Sequence, residues 1–243
     1  MLAFLFLFIF SIAALAVVTP TTTPGTPAGY NYTNVPFDSE TAYFFLDYVD
    51  GVIDSVTNET AKSSFLNASS ILLQTVRKQH ASADSYLPLT GFSLITFSYG
   101  YPELSPYNKP LQGIVAANRL QPNTSGWYSG FEPRDNEFPF IKRRFDATYN
   151  SEMLTLLDAH NIRRVVLVGA VTSRVVLSTM RSLVDRDYVV HIVRDACLDS
   201  IDTTFLFETY FPVQAYVLSL EEALRLFPKE PVNPDSVNGF NVS

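Results

Sequence analysis

Apolar positions along this chain fall into two patterns that alternate through its middle. Continuous apolar runs, as made by strands buried on both faces, occur at TAYFFLDYV (41–49), GFSLITFSY (91–99) and RRVVLVGAV (163–171). EFPFIKRRF (137–145), YVVHIVRDAC (188–197) and QAYVLSL (214–220) read as further strands, the first of them short. Between them the spacing turns helical. Residues 62–80 place Phe65, Ile71, Leu72, Leu73 and Val76 on one broad face. SEMLTLLDAHNI (151–162) has a Ser N-cap and helically spaced leucines, and VTSRVVLSTMRSLVDRD (171–187) and DTTFLFETYF (202–211) read as helices. SLEEALRLF (219–227) carries a capping box and closes the series.

Strands alternating with helices in one chain predict a parallel sheet covered on both faces. The fold class expected is α/β: a three-layer α/β/α sandwich around a mostly parallel, Rossmann-like sheet of about six strands. The runs ending near Asp47, Lys142 and Gly169 would then point to one edge, where such sheets bind ligands at the switch in strand order. Polar, Pro-rich sequence fills residues 99–134, too long for a plain connection and read as a lid or binding loop. No internal repeat or second domain is visible.

The flanks differ from this core. LAFLFLFIF (2–10) followed by AALA (13–16) reads as a signal peptide over residues 1–18, without basic residues ahead of its apolar stretch. An uncleaved anchor is the alternative reading. A Thr/Pro-rich linker is expected over 19–40, the folded domain over 41–228 and a tail over 229–243. Sequons at Asn31, Asn58, Asn67, Asn123 and Asn241 fit a secreted, extracellular glycoprotein with no stable membrane span after cleavage. A net charge of -7 argues against nucleic acid, leaving a small molecule as the expected partner. With Cys197 as the only cysteine there is no intrachain disulfide and no cysteine-based zinc cluster, and neither metal nor cofactor is expected.

Candidate chemistry is sparse. Asp47 ends a buried run, which suits a carboxyl of raised proton affinity for general acid work; it could equally cap the next helix. Lys142, in FIKRR, could pair with such an acid, although with Arg143 and Arg144 it reads first as part of a solvated basic cluster. The turn VGAVTSRVV places backbone N–H groups at a helix start, where an oxyanion or carboxylate can sit. It is neither a nucleotide-binding glycine fingerprint nor a serine-hydrolase elbow. His191 reads as a core histidine, and His80 and His160 as helix-end residues.

LDYVDG, FIKRRFDATYNSEM and the long segment VGAVTSRVVLSTMRSLVDRDYVVHIVRDACLD, in this order, resemble the isochorismatase-like family of cysteine-hydrolase fold. The resemblance implies that Asp47 and Lys142 are two members of an Asp–Lys–Cys triad whose cysteine position is occupied by Val175. It also implies substrate contacts at Ala170, Val171 and Arg174, and dimers or larger assemblies. Valine offers neither lone pair nor proton, so hydrolysis through a thioester is unavailable at that position. Cys197 reads as a buried, inert thiol. Two expectations remain: cysteine-free acid hydrolysis of an enol-pyruvyl ether such as isochorismate, or a catalytically inactive domain serving binding or interaction.

Overall fold

A computed structural model describes residues 36–81, 88–122 and 125–227. The signal-like segment, most of the linker, the tail and the sequons at Asn31, Asn123 and Asn241 lie outside the described residues.

The described residues form six strands: β1 (Thr41–Leu46), β2 (Leu89–Ile95), β3 (Phe138–Lys142), β4 (Arg164–Ala170), β5 (Val189–Leu198) and β6 (Tyr216–Leu218). They form one sheet in the order β3-β2-β1-β4-β5-β6, with every neighbouring pair parallel. Strand order therefore reverses between β1 and β4, and the crevice beyond their C-terminal ends is the ligand position of such sheets.

Side chains of β1 show why its apolar run is unbroken. Tyr43 and Phe45 join the core on one face with Phe92, Val166 and Val168, while Ala42, Phe44 and Leu46 join the core on the other with Val165 and Leu167. Helix α1 (Asp50–Ile53) follows at once, and the long α2 (Glu59–Ala81) supplies Phe65, Leu72, Leu73 and Val76 to the first core. Helix α3 (Lys109–Ala116) is a helix within the stretch expected to be loop; Asn108 caps it by accepting from Leu111 N–H. Helix α4 (Met153–Ala159) buries Met153 and Leu157 on the second face. Its predicted Ser cap acts one position off, Ser151 Oγ accepting from Met153 N–H at 3.2 Å.

The helix expected over 171–187 has two parts: a π-helical turn, Thr172–Val176, and then α5 (Leu177–Val184). DTTFLFETYF forms a π-helical turn at Leu206–Tyr210 and a 3-10 turn at Phe211–Val213. The closing helix α6 (Leu220–Leu226) has the expected capping box between Ser219 and Glu222. No helix among the described residues is long and apolar enough to cross a membrane.

Candidate active site

Asp47 is the first residue beyond β1, and its backbone is left-handed with φ at 55°. Aspartate tolerates that conformation better than the apolar residues around it. The residue does not cap a helix, since the N-cap position of α1 is Val49, with no side-chain cap bond. Asp47 instead turns inward, only 3% exposed. Its Oδ2 lies 2.7 Å from Lys142 Nζ, and Ser93 Oγ donates to its Oδ1, also at 2.7 Å.

Lys142 overturns the solvated-cluster reading. It is the last residue of β3, is 0% exposed, and gives its other hydrogens to the carbonyls of Arg144 and Phe145 at 2.9 and 3.3 Å. An ammonium group has three hydrogens, so this one is fully committed to acceptors within the protein. Strand alternation explains the placement: Phe140 and Lys142 face inward while Ile141 between them is half exposed. Arg143 and Arg144 are partly buried as well. Arg143 donates to Thr96 O at 2.6 Å and to Glu103 at 3.2 Å, and Arg144 to Glu103 O at 3.1 Å. These bonds tie the start of the long 99–134 segment to the end of β3.

Burial pushes the Asp47 carboxyl up, opposed by the Lys142 charge and by hydrogen bonds from Lys142, Ser93 and Ile95 N–H. Burial likewise pushes the Lys142 ammonium down, opposed by Asp47 and, more weakly, Asp146. The two proton affinities are thus drawn toward each other, a condition that lets one proton pass between the pair.

Asp47 opens on a cavity of about 90 Å³ whose wall includes Ala170, Val171, Arg174 and Val175, all named from the sequence, beside apolar residues such as Val52, Ile95 and Ile114 that were not. Lys142 does not line it and reaches the cavity only through Asp47. Val175 is 1% exposed and belongs at once to the cavity wall and to the core under α5. Two of the backbone N–H groups expected to cradle a substrate are satisfied internally: Ser173 donates to Asp199 Oδ2 at 2.7 Å and Arg174 to Val171 O at 3.0 Å. The Arg174 side chain is exposed, its guanidinium 5.5 Å from the centre of the Phe145 ring.

Two residues of this site carried no sequence signal of their own. Arg119, exposed and just beyond α3, lines the cavity, and neither it nor Arg174 forms an ion pair among the described residues. Ser93 is the other; its one trace was a hydroxyl interrupting an apolar run. Cys197 lies elsewhere, on the wall of a separate, wider groove of about 550 Å³. It is partly exposed there rather than buried as expected, and desolvation pushes its thiol up to about 12, so it does not ionise readily. His191 is fully buried, stacked on Tyr216, and His160 caps the C-terminus of α4. The His80 side chain lies outside the described residues. Among the described residues no cluster of three or more His, Cys, Asp or Glu could hold a metal ion.

An acid–lysine pair and a strand-to-helix turn thus meet at the switch point of a parallel sheet, the ligand position of α/β folds of this kind. The sequence model of the isochorismatase domain matches residues 41–222, and the chain belongs to the isochorismatase family. The uncharacterized isochorismatase family protein YddQ of Bacillus subtilis (strain 168) is 26% identical over 83 residues, 33% of this chain and 46% of that protein. The matched stretch thus spans less than half of that relative's length.

Solved structures agree in fold. An isochorismatase family protein from Burkholderia thailandensis superposes with a TM-score of 0.62 at 16% identity, over 79% of this chain and 98% of its own. A cysteine hydrolase from Pseudomonas syringae pv. phaseolicola gives 0.64 at 14%, over 79% and 94%. N-carbamoylsarcosine amidase from Thermoplasma acidophilum gives 0.55 at 17%, over 74% and 96%.

Proposed function

We propose that this protein hydrolyses an enol-pyruvyl ether, isochorismate being the type substrate, by acid catalysis without a covalent nucleophile. The observation that carries this reading is the buried Asp47–Lys142 pair, whose Asp47 lines a cavity together with Val175, the residue read from the sequence as standing in the family's cysteine position. Asp47 delivers a proton to the methylene carbon of the ether, generating an oxocarbenium ion. Water adds at the cationic carbon and returns its proton to Asp47. The hemiketal then collapses to pyruvate and the freed alcohol. Lys142 holds the charge balance of Asp47 through this cycle without touching substrate.

Size and charge support the same reading. A cavity of about 90 Å³ takes a three-carbon enol-pyruvyl limb and leaves a ring at the opening. There Arg174 binds a substrate carboxylate, with Arg119 as a second cation. The alternative, an inactive domain that binds a partner, draws on one specific observation: Val175, read as occupying the family's cysteine position, is an apolar side chain buried at 1% exposure. Purified protein given isochorismate separates the two. Enzyme-dependent pyruvate release that is lost in Asp47→Ala, with the fold intact, supports hydrolysis; no pyruvate from the wild-type protein sinks it.

The chain follows a secretory route in this proposal. Asn58 and Asn67 are exposed, and Asn58 caps α2 through Oδ1, which a sugar on Nδ2 leaves in place. A glycosidase-sensitive mass on the protein from its native host tests this.

A further inference from the structure

We propose that Ser93 is a positioning residue for Asp47, holding the carboxyl in the orientation that serves the cavity. This rests on reading Asp47 as the proton donor. Ser93 lies in β2 opposite Leu46 of β1, one residue before the chain turns at Asp47. It is 0% exposed, between Phe92 and Leu94 in a strand where an apolar side chain is the ordinary choice. A hydroxyl buried there is unfavourable unless bonded, and this one is bonded twice to the same partner. Its Oγ donates to Asp47 Oδ1 at 2.7 Å and accepts from Asp47 N–H at 3.0 Å, while its carbonyl accepts from that N–H at 3.1 Å.

The geometry says what this contact adds. Lys142 contacts Oδ2 and Ile95 N–H also donates to the carboxyl, but Ser93 is the one side-chain hydroxyl among its partners. Ser93 holds Oδ1, and these contacts together set the carboxyl plane. Ser93 does not line the cavity and cannot act on substrate directly. Its influence must run through Asp47. The other charges facing Asp47 are Lys142 on β3 and, across the cavity, Arg119 and Arg174. Asp146 bears on Lys142 from the turn behind it, and Asp50 of α1 directs its carboxylate toward Gly126 instead.

The test is the titration of the Asp47 carboxyl carbon, followed by NMR in protein labelled with ¹³C-aspartate and assigned by Asp47→Asn. Ser93→Ala removes a donor to the charged form, so the midpoint should rise by about one pH unit. Ser93→Thr, which keeps the hydroxyl, should restore it. Ser93→Cys, a similar volume with a weak donor, should show the same rise and serves where the alanine variant does not fold. An unchanged midpoint in a folded Ser93→Ala or Ser93→Cys variant overturns the proposal. If the wild-type protein releases pyruvate, Ser93→Ala should also lower kcat about tenfold with KM little changed. Absence of pyruvate release in the wild type would count against the hydrolase reading, while the carboxyl titration still decides the role of Ser93.

Discussion

Asp47 Oδ2 and Lys142 Nζ meet at 2.7 Å with their side chains 4% and 0% exposed. A pair so enclosed is expensive to break from one side, because the remaining group stays in an apolar setting without its counter-charge. Lys142→Met should therefore destabilise the fold by about 3–5 kcal/mol at neutral pH. Asp47→Asn combined with Lys142→Met should recover part of that loss, as read from urea unfolding. The single variant also has a pH signature. Burial holds the Asp47 carboxyl above its ordinary value, and Lys142→Met removes the main opposing charge. The folded state then binds the proton more tightly than the unfolded chain. Stability is greater at low pH and falls as pH rises through the raised folded value. A double variant no more stable than the single would remove the case for a coupled pair.

Glu103 has the opposite sign. Burial alone would raise its carboxyl, but hydrogen bonds from Ser98 side chain and backbone, with Arg143 beside it, lower it from 4.5 to about 2. A depressed carboxylate contributes stability above its unfolded value, and that contribution is lost as pH falls toward the folded one. The contribution should fade between pH 4.5 and about 2, and Glu103→Gln should flatten that part of the melting-temperature profile. The partly exposed position keeps the effect modest. An unaltered acid limb in the variant would place the stabilisation elsewhere.

The fold was legible because its signals are additive along the chain. The central strands β1, β2 and β4 announce themselves by nearly unbroken apolar runs, and the six strands among the described residues fall where strands were read. Helix α3 was missed because Pro102 and Pro106 punctuate its approach, Pro110 stands in its first turn and the helix spans only eight residues. At the site, Asp47 stood out as an acid ending a buried run. Lys142 was named beside it through the resemblance, but by residue type alone it read as a solvated cluster, because two arginines follow it and only strand alternation, once the register is fixed, turns it inward. Ser93 and Arg119 depend on contacts between segments far apart in sequence, Ser93 lying 46 residues from Asp47. No local pattern can announce such a pairing.

Thiol chemistry should be absent from the wild-type protein and partly restorable. With its thiol pushed up to about 12, Cys197 is almost wholly protonated at neutral pH. Iodoacetamide at neutral pH should leave the folded wild-type chain unmodified over hours, as judged by intact mass. Val175→Cys places a thiol on the wall of the Asp47 cavity and should take up a single adduct. Blocking the opening with a small carboxylate should slow that uptake. Labelling of Cys197 in the folded wild type at a rate near that of a free thiol would contradict its assignment as inert.

Gly169 secures the placement of Asp47 from the neighbouring strand. It faces Leu46 in the β1–β4 register, at an irregularity in the pairing of β4 with β5, with φ at 148°. A Cβ there would lie 2.1 Å from Leu46 O and 2.9 Å from Leu46 C. The obstruction is backbone, so no rotamer change relieves it, and any shift of Leu46 moves the next residue, Asp47. Gly169→Ala should therefore cost more than about 4 kcal/mol or prevent folding. Gly100 supplies the control: its φ of 80° is also positive, but nothing lies within 4 Å of an added Cβ. Gly100→Ala should cost only about 1–2 kcal/mol, the strain of a left-handed alanine. Chemical denaturation of both variants measures the difference. Equal losses would mean that close approach of β4 to the Leu46 carbonyl does not fix the end of β1.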